Sequence, residues 1–470
     1  MFATLVPLGA LLSGIALLLL GSGLLGTLLG VRGSLEGFGD QVLGLVMSGY
    51  FLGFFLGTFL APAAIHRMGH IRAFAFFGAL FTCTVLLHAL WVDPLGWGLL
   101  RIGSGIAIVG LYTVIESWLS ATVDGAQRGR VFAIYMVITL VALALGQQLL
   151  RLASVESFVL FSLSAILVCV AMLPVAATRM AQPVLQPAER VSVGRLVRFA
   201  PAAAAGALLS GIAIGTFWGL GPVYAGRLGL GIDELAIFMT ATIAGGAVLQ
   251  WPIGLLSDSG DRRRTLALAC TGAGLAAGIA ALLTGGSTTV LYVVFFCYGG
   301  LSFAVYPVAV AHLLDYVGPE DVLAACSTIL LLHGAGAVVG PAVAGFFMES
   351  LGPRAFPGFL MVAQFSLGAY VFTRLFVRQR ESVTESHFHP MLRTTPTAME
   401  LLPETETPDE EAEPLQSFRR QPRCKPKSGV ASVTRFCVIA KSSRPPAARC
   451  RLPPIASWML PLPSGARGVS

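Results

Sequence analysis

Charge is scarce in this chain: Asp, Glu, Lys and Arg supply 12% of 470 residues, about half the share of an ordinary soluble domain. Lysine is rarer still, confined to Lys425, Lys427 and Lys441. Cysteine pairs are missing as well. Cys83, Cys169, Cys270, Cys297 and Cys326 stand singly in apolar runs, where the thiol acts as a small hydrophobe. No CxxC or Cys/His spacing suggests a metal site or a disulfide framework. There is no Walker loop, HExxH or GxSxG, so ATP-driven work, zinc hydrolysis and serine hydrolysis all lack their motif. The chain therefore reads as no enzyme, with no catalytic residue, no metal and no cofactor. Its net charge of +7 comes from the tail and from short loops, so nucleic acid is not a partner.

Apolar residues are what the chain has, at 55% of the sequence with a mean hydropathy of +0.78. In lipid the backbone must satisfy its own hydrogen bonds, so the expected fold is an all-α membrane protein in the bilayer. Apolar runs predict twelve transmembrane helices over 7–31, 41–64, 72–92, 96–122, 131–153, 156–178, 199–226, 234–257, 265–284, 288–316, 322–350 and 354–376. The first run lacks the positive flank of a signal peptide and reads as a retained span. A polar break at 179–198 separates a six-helix half at 1–178 from another at 199–378. Gly9-Ala-Leu-Leu-Ser-Gly-Ile-Ala16 recurs letter for letter as Gly206-Ala-Leu-Leu-Ser-Gly-Ile-Ala213, at the opening of each half.

Loop arginines orient the spans. With the N-terminus inside, Arg67, Arg72, Arg128, Arg130, Arg179, Arg190, Arg195, Arg198, Arg262, Arg263 and Arg264 fall on inner loops. Only Arg32, Arg151, Arg227 and Arg354 fall on outer ones. This asymmetry places both termini in the cytoplasm. The tail, 379–470, is rich in Pro, Ser, Thr, Glu and Arg. It reads as disordered and receives no function. A regulatory tail is one account of it; a shifted reading frame past about Gln416 is another.

The fourth span carries an arginine and a glutamate. Arg101, Gly105, Ile108, Tyr112 and Glu116 share one helix face. Each ionised group costs about 2.5–3.5 kcal/mol or more at the bilayer centre, so this face turns toward protein or water. Either the pair makes helix contacts, or the face lines a path for solute or protons. Arg101 and Glu116 lie roughly 22 Å apart along the axis and cannot pair directly. Tyr50, Gln147, Gln250, Tyr306 and His312 also interrupt apolar runs, with Trp218 on the seventh. Each is a packing residue or, with Tyr112, part of a substrate cavity. His312 of the tenth span falls near the depth of Glu116, which suggests a Glu/His proton site between the halves.

Two short motifs point further. Gly254-Leu-Leu-Ser-Asp258-Ser-Gly-Asp-Arg262-Arg263-Arg264 follows the eighth span, and a weaker copy, Pro62-Ala-Ala-Ile-His66-Arg67-Met-Gly69-His70-Ile-Arg72, follows the second. A carboxylate facing arginines across a short turn can latch two helices. The copies start 192 residues apart. With Arg101-x-x-x-Gly105 and Gly336-x-x-x-Gly340-Pro341, these motifs resemble the major facilitator superfamily. Val114-Ile-Glu-Ser-Trp-Leu119, Gln250-Trp-Pro-Ile-Gly254 and Val305-Tyr-Pro-Val-Ala309 are similar to its YcaD-type bacterial carriers. The resemblance covers residues 1 to about 378.

It implies two pseudo-symmetric six-helix halves rocking about a midplane site, as a secondary transporter of the bacterial inner membrane. Arg67, Gly69, Gly254, Asp258 and Arg262 would be cytoplasmic gating residues, and Arg101, Glu116 and His312 the coupling residues. The expected partners are a small-molecule substrate and protons, with the chain taken as a monomer. Proton-coupled efflux is the expected activity. Uptake by symport stays open, because Gly146-Gln147-Gln148 replaces the Gly-Pro signature of drug–proton antiporters. A non-transporting sensor on the same scaffold is the reading from another class.

Overall fold

A computed structural model describes residues 2–123, 127–178, 183, 191–283, 286–318, 321–376, 387–391, 395 and 398. All belong to one compact unit, 1–408. Arg179, Arg190, the acidic patch after 403 and the three lysines lie outside the described residues.

Twelve helices are long and apolar enough to cross a membrane. The first half contains α1 (Phe2–Leu35), α2 (Asp40–Met68), α3 (His70–Leu90), α4 (Pro94–Thr122), α5 (Arg128–Gln148) and α6 (Val159–Ala177). The second contains α8 (Pro201–Arg227), α9 (Ile232–Asp258), α10 (Arg262–Leu282), α11 (Thr288–Leu314), α12 (Val322–Leu351) and α13 (Ala355–Leu375). Between them lies α7 (Val193–Phe199), in a stretch the sequence reads as a polar loop. Its seven residues are too few to give a periodic signal, but Ser192 caps it by accepting from the Arg195 amide at 3.3 Å. The end of α5 tightens into a 3-10 turn, Leu149–Leu152.

Helix starts follow the local chemistry. Pro94 and Pro201 occupy first-turn positions, where a missing N–H costs nothing. The Asp93 carboxylate caps α4 by accepting from the Gly96 amide at 2.8 Å. Glycine sets how closely the spans cross. A Cβ on Gly53 would strike the Ile102 carbonyl, and one on Gly105 the Tyr50 carbonyl, so α2 and α4 touch backbone to backbone. The second half repeats this at α9 and α11, where Gly245 meets Phe296 and Gly299 meets Thr242.

The two halves meet at the end of the bundle away from Arg67 and Arg262. Arg227 on α8 pairs with Asp40 on α2 at 2.8 Å, and Arg151 pairs with Asp233 on α9 at 3.0 Å. Gln148 donates to the Ala236 carbonyl at 3.2 Å. Gly44 packs on Pro341, and the Ala342 amide donates to Ser48 Oγ at 3.1 Å.

Candidate functional site

A cavity lies between the halves. Tyr50, Phe54 and Phe55 of α2 form one wall; Ile214 and Trp218 of α8, Tyr306 of α11 and His333 of α12 form the other. About 70 Å³ is open inside, room for a few waters. Trp218 lies nearly parallel to Phe303 at 6.3 Å, and Tyr306 sits 4.4 Å from the His333 ring. His333 Nδ1 is 3.1 Å from Ser210 Oγ. The buried Arg101 guanidinium lies 4.4 Å over the Tyr50 ring, whose π face favours a cation.

Three of the six expected cavity residues, Tyr50, Trp218 and Tyr306, are on this wall. The other three are not among the lining residues. Tyr112 backs Phe54 edge-on at 6.3 Å. Gln147 ties α5 to α1, accepting from Thr27 Oγ1 and donating to the Leu143 carbonyl at 3.1 Å. Gln250 reaches the Phe303 carbonyl at 3.4 Å and so joins α9 to α11. In a tight bundle the nearest partners of a side-chain amide are the hydroxyls and carbonyls of the adjacent helix. His333 was missed, although an ionisable residue in an apolar run was the signal that should have found it.

Glu116 is fully buried at the arginine-rich end of α4. Tyr135 Oη donates to its Oε1 at 2.7 Å. The Thr395 amide donates to Oε2 at 3.2 Å, and the Thr395 hydroxyl donates to the same oxygen. The expected Glu116/His312 pair does not form. His312 instead lies edge-on to Tyr316 at 5.2 Å, with Asp261, Arg262 and Arg263 as its charged neighbours. Equal depth in two helices did not give facing side chains.

The second loop motif is a charge cluster. Arg262 Nη1 donates to Asp258 Oδ1 at 3.0 Å and to Ser257 Oγ at 3.1 Å, while its Nε donates to Asp315 Oδ2 at 2.9 Å. Asp315 therefore joins α11 to this cluster, which the loop motif alone does not foretell. Burial would raise the Asp261 carboxyl, but hydrogen bonds from Arg263 hold it below the usual carboxylate range. The first copy has no such cluster among the described residues. His66 stands where the carboxylate would be, and Arg67 is exposed. Gly69 takes φ +79° between α2 and α3, a conformation that favours glycine.

Part of the segment expected to be disordered packs against the bundle. The Phe388 amide donates to Asp258 Oδ1 at 2.9 Å, and its ring fills the space beside Gly254. His389 meets Phe132 of α5 edge-on at 6.3 Å. Met391 is buried and completes the cavity lining. Thr395 and Ala398 are fully buried beside Glu116.

Known proteins share this architecture. The MFS-type transporter YcaD of Escherichia fergusonii, itself described as uncharacterized, is 28% identical over 362 residues, spanning 77% of this chain and 93% of its own. The YcaD protein of Shigella flexneri matches to the same extent, 28% over 362 residues. Among solved structures, the nucleoside transporter NupG superposes with a TM-score of 0.62 at 15% identity, covering 80% of this chain and 100% of NupG. A bacterial homologue of the human lysosomal transporter Spinster, inward-facing and occupied, gives 0.65 at 17% identity over 80% of this chain and 98% of its own. At such identity the likeness is one of fold. The sequence profile of the Major Facilitator Superfamily matches residues 11–311 and 203–439, together most of the chain, and the protein belongs to that superfamily, a family of transporters and not of enzymes.

Proposed function

We propose that the protein exports a small organic solute across the bacterial inner membrane in exchange for protons, with both termini in the cytoplasm and Glu116 as the proton carrier. The observation that carries this reading is the setting of Glu116. Two carboxylates are buried among the described residues, Asp40 and Glu116. Asp40 is neutralised by Arg227. Glu116 accepts hydrogen bonds from the neutral donors Tyr135 and Thr395. A carboxyl held this way can carry its charge or lose it without breaking an ion pair. Glu116 does not line the cavity itself; Thr395, which bonds it, lies four residues beyond the cavity-lining Met391. The aromatic wall of Tyr50, Phe54, Trp218 and Tyr306 favours an amphipathic solute. The arginine-rich ends of the spans support the cytoplasmic placement of that face.

Glu116→Gln keeps size and one acceptor oxygen and fixes the neutral state, its NH2 taking the place of the second acceptor. In everted membrane vesicles the variant is expected to lose gradient-driven solute accumulation, by roughly 100-fold as for loss of an essential proton-transfer group, while passive exchange continues. Accumulation against a gradient at the wild-type level would remove Glu116 from the coupling role.

A further inference from the structure

The segment around 387–398 reads His-Phe-His-Pro-Met-Leu-Arg-Thr-Thr-Pro-Thr-Ala. Its described residues touch both halves at once. Phe388 sits on α9 through Gly254 and Asp258, while His389 lies against α5 and Thr395 bonds Glu116 of α4. Gly254 is what admits the Phe388 ring, since a Cβ there would collide with it. Asp258 accepts from Arg262 and from the Phe388 amide with the same oxygen, so the loop cluster and the segment share one acceptor. Met391 then reaches the wall formed by Tyr50, Trp218 and Tyr306.

We propose that residues 387–391, with Thr395, are a built-in plug at the arginine-rich mouth of the central cavity, Met391 lining the cavity and Phe388 anchored outside it beside Gly254, and that this mouth is a recognition site for a peptide with two such apolar anchors. Three features agree on this. The anchors bury their side chains, the backbone amides of 388 and 395 find carboxylate acceptors on opposite halves, and the space left is about 70 Å³. A peptide bonded to both halves opposes their relative rotation, and one bonded to Glu116 holds the acceptor oxygen a proton would take. The segment therefore restrains the carrier and must withdraw before solute enters. This restraint rests on the transport reading above; the docking does not.

The test uses the full chain in lipid nanodiscs, wild type beside Phe388→Asp/Met391→Asp, each also carrying Gly334→Cys on the cavity wall. Docking protects backbone amides, so exchange across 387–398 should be at least about tenfold slower in wild type than in the double variant. Reaction of the introduced thiol with a polar maleimide, followed on its own peptide by mass spectrometry, should be about tenfold faster in the double variant. Exchange in α2 and α12 reports whether both proteins are folded. A wild-type segment that exchanges as fast as the variant, or a thiol that reacts equally fast in both, overturns the proposal. Neither readout requires transport, so a carrier indifferent to pH gradients would count against the proton reading alone.

Discussion

Three polar side chains explain much of how this bundle tolerates charge. Arg101 is covered by an aromatic face, Arg262 by two carboxylates and a hydroxyl, and Glu116 by neutral donors from Tyr135 and Thr395. His389, outside the spans, is set differently. Burial lowers it to about 4, helped by His387 and Arg262 and opposed by Asp258. Its ordinary value is near 6.5, so between about pH 4 and 6.5 the released segment binds more protons than the docked one. Docking is then complete above about 6.5 and weakens as pH falls through that window. Exchange across 387–398, corrected for its intrinsic pH dependence, should be faster at pH 5 than at pH 7.5. His389→Gln should reduce the difference in a Glu116→Gln background, which removes a second titrating group facing the segment while Asp258 and His387 stay unchanged in both proteins. An exchange rate that does not change with pH would show that His389 binds protons equally well docked and released. At this scale the sequence was half legible. Ionisable residues in apolar runs were visible, and so were the aromatics of the wall. Which neighbour each one faces depends on helix rotation, and so Glu116 met Tyr135 and Thr395 where His312 was expected.

The spans were the most legible feature, because lipid forces long apolar runs into helices and polar breaks end them. The short α7 and the docked segment were not legible. Val193–Phe199 has barely two turns, and Phe388 and Met391 are isolated apolar residues in a polar stretch. Both are held by tertiary contacts: the Val191 carbonyl beside α7 accepts from Thr328 of α12, and Gly254 receives Phe388. Helix crossings lie between these extremes. Glycines are visible, but only the structure separates those at contacts from those in open space. Gly105 has the Tyr50 carbonyl against it, while Gly98 has nothing within 4 Å. Gly105→Val should push α2 from α4 and lower stability by about 1–3 kcal/mol or more, seen as a lower melting temperature of the purified protein. Gly98→Ala should leave it unchanged. Equal tolerance of both substitutions would mean that the crossing is looser than the backbone contact implies.

The whole molecule has one closed end and one end filled by its own chain. Asp40–Arg227, Arg151–Asp233 and Gly44 on Pro341 close the first. Phe388, Met391 and Thr395 fill the second. Rocking the halves would break the first set of contacts and form new ones where the segment now lies. Spin labels can follow this without a known solute. One pair, Leu35 and Leu351, reports on the closed end; another, Arg67 and Ser259, reports on the arginine-rich end, and all four positions are exposed. With the segment released by Phe388→Asp/Met391→Asp, pulsed electron paramagnetic resonance should give two distances for each pair. A change of conditions that raises the longer Leu35–Leu351 distance should lower the longer Arg67–Ser259 distance. A single, unchanging distance at both ends, in wild type and released variant alike, would contradict alternating access in this protein.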